Sequence, residues 1–208
     1  MQLKELLEDQ IKDIYSAETQ VSEALPKLAK AASSEKLAKA FRDHLAETRG
    51  QIDRLKEIAK KLDMELEGEE CEAAKGLIEE GEQLIEEHEM GPGRDAGLIA
   101  AAQRFEHYEM AAYGTIRDFA KELGLRAVAE LLQETLDEES QANELLTKIA
   151  HGGINREAVG AGNGKSQSKG RGMNLQELSR DELYEIAQEK GLSGRSAMSK
   201  KELVQALR

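Results

Sequence analysis

Cysteine occurs once in the 208 residues, tryptophan not at all and proline only twice. The single Cys71 excludes an intrachain disulfide framework and fits a reducing compartment. Aromatic residues make up 3% of the chain, and the alternating β-branched stretches that build half-buried strands are missing. No apolar run approaches the roughly 18 residues of a membrane span. The N-terminal MQLKELLEDQ has no apolar signal-peptide core. A cytoplasmic protein with no membrane partner is expected.

What is abundant is charge, at 34% of residues, in long runs of Ala, Leu, Glu, Lys and Gln that favour helix. The chain reads as all-α. Charge is unevenly spread: residues 1–151 carry a net −15 and residues 152–208 a net +3. An acidic body of that size repels nucleic acid and attracts cations.

Four long amphipathic helices are expected. The first runs from about Leu3 to Ala31 with the stripe Leu7, Ile11, Ile14, Glu18, Val21, Leu25 and Leu28, and Pro26 predicts a kink or break near Leu25. The second runs from about Glu35 to Leu62 after the start signal Ser33-Ser34-Glu35. Its stripe is Leu37, Phe41, His44, Thr48, Gln51, Leu55, Ile58 and Leu62. A shorter amphipathic segment, Cys71 to Glu89, stops at Gly91-Pro92-Gly93. The third long helix spans about Arg94 to Leu123, with Ile99, Ala102, Glu106, Glu109, Tyr113, Ile116 and Ala120 on one face. The fourth spans about Arg126 to Ala150, with Val128, Leu131, Thr135, Glu138, Ala142, Leu145 and Ile149, and Gly152-Gly153 closes it. Residues 1–151 are therefore read as one bundle. Residues 152–172, with seven glycines, form a flexible and mildly basic linker, and residues 173–208 a small module of two short helices.

Each long helix places a polar group where its stripe calls for an aliphatic one. These are Glu18 on the first helix, His44 on the second with Glu47 three residues on, Glu106 and Glu109 on the third, and Glu138 on the fourth. A buried carboxylate must be protonated, paired or metal-bound. Few Lys or Arg share those stripes. Glu18 to Glu47 and Glu109 to Glu138 are both spacings of 29 residues, the mark of two related hairpins. Inward Glu and His side chains in a four-helix bundle are the arrangement that holds two metal ions. Each residue taken singly has a plainer reading. A lone Glu belongs at a stripe edge, Glu47 and Glu139 in solvent, His44 in a hydrogen-bonded core. His107 lies off its stripe, and the Tyr15 or Tyr113 hydroxyl is a candidate to hold a ligand carboxylate.

The stretches Asp13-Ile14-Tyr15-Ser16-Ala17-Glu18, His44-Leu45-Ala46-Glu47-Thr48, Cys71-Glu72-Ala73-Ala74-Lys75-Gly76-Leu77 and Glu106-His107-Tyr108-Glu109 resemble the YciE/YciF family of ferritin-like bacterial stress proteins. The resemblance covers nearly all of residues 1–151. It implies a ferritin-like four-helix bundle with an extra helical segment between the hairpins, a homodimer, and a di-iron or similar centre. Two Fe ions per chain are expected, with Mn as the alternative. Glu47 and Glu138 would match bridging ligands, with Glu18, His44 and Glu109 or Glu106 as terminal ones. The chain departs from the usual Glu-x-x-His, since Gly50 and Gln141 stand three residues after Glu47 and Glu138.

The tail pattern Leu175-x-x-Leu178, Glu182-Leu183-x-x-Ile186-Ala187, Gly191-Leu192 and Met198-Ser199-Lys200-x-x-Leu203 resembles the N-terminal domain of transcription terminator Rho and, more loosely, the SAP module. That resemblance implies nucleic-acid binding, to which Lys165, Lys169 and Arg171 of the linker would add. The functional expectation is a stress-associated metal protein that reduces peroxide or dioxygen. The alternative is a non-catalytic helical interaction protein with a structural metal or none. A storage shell ranks third.

Overall fold

The computed structural model describes residues 2–161, 179–189, 192 and 198–207. Every regular element among the described residues is helical. The first hairpin is α1, Leu3–Ala31, and α2, Glu35–Leu62; the second is α4, Pro92–Glu122, and α5, Arg126–Ile149. Connections of three residues force each pair antiparallel. α1 packs on α4 and α2 on α5, closing a four-helix bundle, and the crossover between hairpins carries α3, Glu72–Glu87, across the α1–α4 seam. This is a ferritin-like bundle with an extra helix between its hairpins. The core is aliphatic, with Leu7, Ile11, Ile14, Leu37, Leu98, Ile116 and Leu132 fully buried, each contributing roughly 1.5–3 kcal/mol by leaving water. No helix among the described residues is long and apolar enough to cross a membrane.

Local signals set the helix ends. The Ser34 side chain accepts the Leu37 N–H at the start of α2, and Gly124 turns the chain into α5 with φ of 71°, a conformation that favours glycine. Pro92 opens α4 at its first position rather than stopping the segment before it, because a helix start has no use for the proline's missing N–H. α1 does not break at Pro26. Leu25, Ala29 and Ala31 around it are buried, and their packing outweighs one lost backbone bond.

Two polar devices tie the elements together. Arg94 and Asp95, buried in the first turn of α4, grip the α1–α2 turn. The Asp95 carboxylate accepts the N–H groups of Ser33 and Ser34 at 2.8 Å each, while Arg94 donates to the carbonyls of Ala31 at 2.5 Å and His88 at 3.2 Å. At the start of α3 the Cys71 N–H donates to Ser16 Oγ at 2.9 Å. Its thiol lies 3.0 Å from the Tyr108 hydroxyl, which donates to Asp13 at 2.9 Å. Burial pushes the Cys71 thiol up and keeps it protonated.

Gly152-Gly153 does not close the bundle. A π-helical turn over Ala150–Ile154, with Gly153 at φ of 147°, carries the chain into α6, Asn155–Ala161, which packs on α4. Ile154 is buried there, so the expected linker start at Gly152 is replaced by packed helix. The remainder of that expected linker, with Lys165, Lys169 and Arg171, lies outside the described residues, as do Leu175, Leu178 and Gly191 of the tail pattern.

The chain divides into the units Met1–Asn163 and Gly164–Arg208. In the second, α7, Arg180–Glu189, and α8, Lys200–Ala206, share a small core of Leu183, Ala187, Leu203, Val204 and Leu207. Ser199 caps α8 reciprocally with Glu202, as its sequence position predicts.

Candidate metal centre

Near mid-span the four bundle helices turn acid and imidazole groups into one interior. α1 brings Glu18, α2 His44, α4 Glu106 and Glu109, and α5 Glu139, all buried. One ligating atom from each of His44, Glu106, Glu109 and Glu139 lies within 4.8 Å of all the others. His44 Nε2 is 3.4 Å from Glu106 Oε1 and 3.9 Å from Glu139 Oε2, and its Nδ1 is 3.5 Å from Glu47 Oε2. Glu18 joins through α4, since the Tyr113 hydroxyl donates to Glu18 Oε1 at 2.5 Å. Burial and the Glu18 charge push the Tyr113 hydroxyl well up, so it remains a donor.

The remaining oxygens are stranded. Glu18 Oε2, Glu106 Oε2 and both oxygens of Glu109 and Glu139 are buried without a hydrogen-bond partner. Among the described residues no Lys or Arg pairs with any of these four carboxylates. Burial, with the Glu139 charge second, lifts the Glu18 carboxyl to about 8. Burial lifts Glu106 to about 8, partly relieved by Glu139 and reinforced by Glu18 and Glu47. Glu109 and Glu139 are held well above the usual carboxylate range, again by burial first. Burial pulls the His44 imidazole down, but Glu47, Glu139 and Glu18 outweigh it and hold it above its ordinary value. Without a cation the site therefore retains protons at neutral pH.

The residues present fit divalent metal. Oxygen-rich sites with an imidazole suit Fe or Mn, and four carboxylates balance two divalent charges. Ligand atoms facing each other across a first-row ion are roughly 4 Å apart, so a spread of 4.8 Å needs only small side-chain movements. Glu109 and Glu139 each have two oxygens to offer, Glu18 and Glu106 one apiece, and His44 its Nε2. A cleft of about 320 Å³ between α2 and α5, lined by Asp43, His44, Glu47, Glu106 and Glu144, leads in from solvent.

Of the residues marked in the sequence, Glu18, His44, Glu106 and Glu109 converge in this interior. Glu47 is half exposed and touches the outer side of His44. Although its charge acts on Glu18 and Glu139, Glu138 is not among the four groups whose ligating atoms converge. The Arg54 guanidinium clasps it at 2.9 and 3.0 Å, also donating to Thr135 Oγ1 at 2.7 Å and Glu134 at 2.9 Å, while Gln51 donates to Glu138 at 3.1 Å. The fourth helix instead buries Val128, Leu132, Thr135, Glu139 and Leu146, leaving Leu145 exposed. Sequence reading missed Glu139 as a core group and Arg54 as the partner of Glu138. The spacing of Glu134 and Glu138, one turn apart opposite an arginine, is the signal that would have found the pair. His107 is exposed, its Nδ1 2.6 Å from the Gln103 carbonyl.

The helix order, the crossover helix and the carboxylate-lined interior define the class: a ferritin-like four-helix bundle. The chain belongs to the family described as Domain of unknown function (DUF892), which matches residues 2–159. Protein YciF of Escherichia coli is 47% identical over 149 residues, covering 71% of this chain and 90% of that protein. The crystal structure of that stress protein aligns with a TM-score of 0.73 at 44% identity, covering 75% of this chain and 99% of that one. YcfI from Rhodopseudomonas palustris aligns with a TM-score of 0.69 at 39% identity, covering 71% of this chain and 94% of that one.

Proposed function

We propose that the bundle binds two divalent metal ions, Fe or Mn, and serves in stress defence as a small metal-dependent reductant of peroxide or dioxygen. The observation that carries this reading is the set of buried carboxylate oxygens on Glu18, Glu106, Glu109 and Glu139 that have no hydrogen-bond partner, with no Lys or Arg among the described residues to pair with them. Leaving such groups stranded costs roughly 1–3 kcal/mol each. A fold that keeps them on three helices around one imidazole gains from an occupant that neutralises them together. When bound, ferrous ions supply the two electrons that, with two protons, convert hydrogen peroxide to two waters. The chain's own residues do the rest. Tyr113 holds Glu18 in one orientation, so that Oε2 is the oxygen presented. Glu47 stands beside His44 Nδ1, where it favours the proton on that nitrogen and leaves Nε2 to ligate.

The test is metal per chain by elemental analysis after anaerobic Fe(II) or Mn(II) loading. About two ions per wild-type chain, lost in Glu109→Gln with Glu139→Gln while helicity is retained, supports the assignment. Unchanged metal in that double variant would sink it. The dimer and a nucleic-acid-binding role for the second unit belong to the same proposal. They are checked by light scattering and by salt-dependent DNA binding with and without residues 164–208.

A further inference from the structure

A second opening reaches His44 and Glu106 between α1 and α4, and its chemistry differs from that of the cleft between α2 and α5. Beneath α3, between α1 and α4, runs a narrow passage with about 30 Å³ of free space, walled by Leu25, Leu28, Ile78, Gly81, Ala101 and Phe105. Its inner end is His44 and Glu106, both buried; its outer end is the exposed ion pair of Lys27 and Glu82, 2.7 Å apart. Between those ends the wall offers no polar side chain. A water midway would need two to four polar partners and the wall there has no polar side chain to supply them, whereas apolar cavities stay dry and accept apolar guests. The space exceeds the roughly 10–15 Å³ that a water-sized guest requires, and it is far too small for an organic substrate. Hydrated ions and hydrogen peroxide, which carry their hydrogen-bonding needs with them, are matched by the cleft between α2 and α5, where Asp43, Glu47, Gln141, Glu144 and Lys148 supply polar groups.

We propose that this passage is a gas site that delivers dioxygen to the His44–Glu106 side of the centre, separate from the polar route used by cations and peroxide. The inference rests on the metal reading for its destination. The two ferrous ions of one centre would supply two electrons that, with two protons, take dioxygen to hydrogen peroxide, and a second ferrous pair with two more protons takes that peroxide to two waters, so the oxidant and its electron source are both named. Gly81 is the control point. A Cβ built there lies 3.7 Å from Leu28 and 3.8 Å from Ala101, ordinary contacts, so alanine fits while its methyl takes up much of the free space. Because Gly→Ala inside a helix also stabilises it, a loss seen in this variant is not unfolding.

Two readouts on the full chain test the proposal. In the metal-free protein, xenon is expected to shift the methyl resonances of Leu28 and Ile78 saturably in NMR spectra, and the shifts are expected to vanish in Gly81→Ala and in Ala101→Val. In Fe(II)-loaded protein, stopped-flow oxidation by dioxygen is expected to slow about tenfold in both variants, a barrier of about 1.4 kcal/mol. Oxidation by hydrogen peroxide and metal content are expected to stay unchanged. Absence of xenon shifts, equal slowing with both oxidants, or no slowing with dioxygen overturns the proposal. A chain that takes no metal overturns the metal reading. Xenon shifts that persist in such a chain leave the passage as a gas cavity without a delivery role.

Discussion

Replacing Glu109 by methionine is expected to stabilise the metal-free protein, an inversion of what a core substitution ordinarily does. Glu109 is 1% exposed and neither of its oxygens finds a partner. Methionine has nearly the same length, the same unbranched stem and a comparable helix propensity, so the wall of the cavity is preserved while the stranded carboxyl is removed. Desolvating an unsatisfied polar group costs about 1–3 kcal/mol; a gain of about 2 kcal/mol is the central expectation. For a unit of this size that is a rise in Tm of about 4–8 °C. The assay is urea and thermal unfolding by circular dichroism in chelator, then again with Mn(II). With metal the order reverses. The wild type gains about 2.7 kcal/mol at a hundredfold excess over Kd, and Glu109→Met gains little. A variant less stable than wild type in chelator would refute the reasoning, because it would mean that the carboxyl is satisfied within the protein.

Three further outcomes follow from the same interior. Arg54→Met is expected to cost about 1–3 kcal/mol in urea unfolding, because it strands Glu138 and Thr135. Adding Glu138→Gln should recover part of that loss, and metal content should stay at wild-type level in both variants. In chelator, stability is expected to fall as pH rises from about 5 to about 8. Over that window Glu18 and Glu106, held near 8 when folded, keep protons that the unfolded chain has released near 4.5, so the folded state binds more protons and loses ground with each step up in pH. Urea midpoints at four pH values check the slope, and a flat or rising profile contradicts it. For the same reason metal uptake should release protons and be tighter at pH 8 than at pH 6; isothermal titration in buffers of different ionisation enthalpy measures the release.

Much of the bundle was legible because α1 and α2 each have one clear face and the stripe read on α4 is buried even though that helix packs on several neighbours. Glu18, His44, Glu106 and Glu109 sit at three- and four-residue steps within their stripes, and each is buried. α5 was not legible in the same way. It carries adjacent twins, Leu131-Leu132, Glu138-Glu139 and Leu145-Leu146, so two stripes one residue apart fit equally well and share Val128 and Thr135. Only packing against α2, where Arg54 claims Glu138, decides between them. Gly152-Gly153 misled for a related reason. A glycine pair usually marks a helix end, yet here Gly153 supplies a bend that folds Ile154 back into the core. Asp95 gave no signal at all, since its partners are backbone amides more than 60 residues earlier.

That last contact bears on how the chain is born. At roughly 5–20 residues per second, the α1–α2 hairpin leaves the ribosome several seconds before the first turn of α4 arrives. During that interval the amides of Ser33 and Ser34 have only water to bind. The nascent hairpin is thus an unlatched clasp, and the arrival of Arg94 and Asp95 snaps it shut from outside. Lesions at this clasp should therefore reveal themselves less in the finished protein than in the yield of chains that reach it.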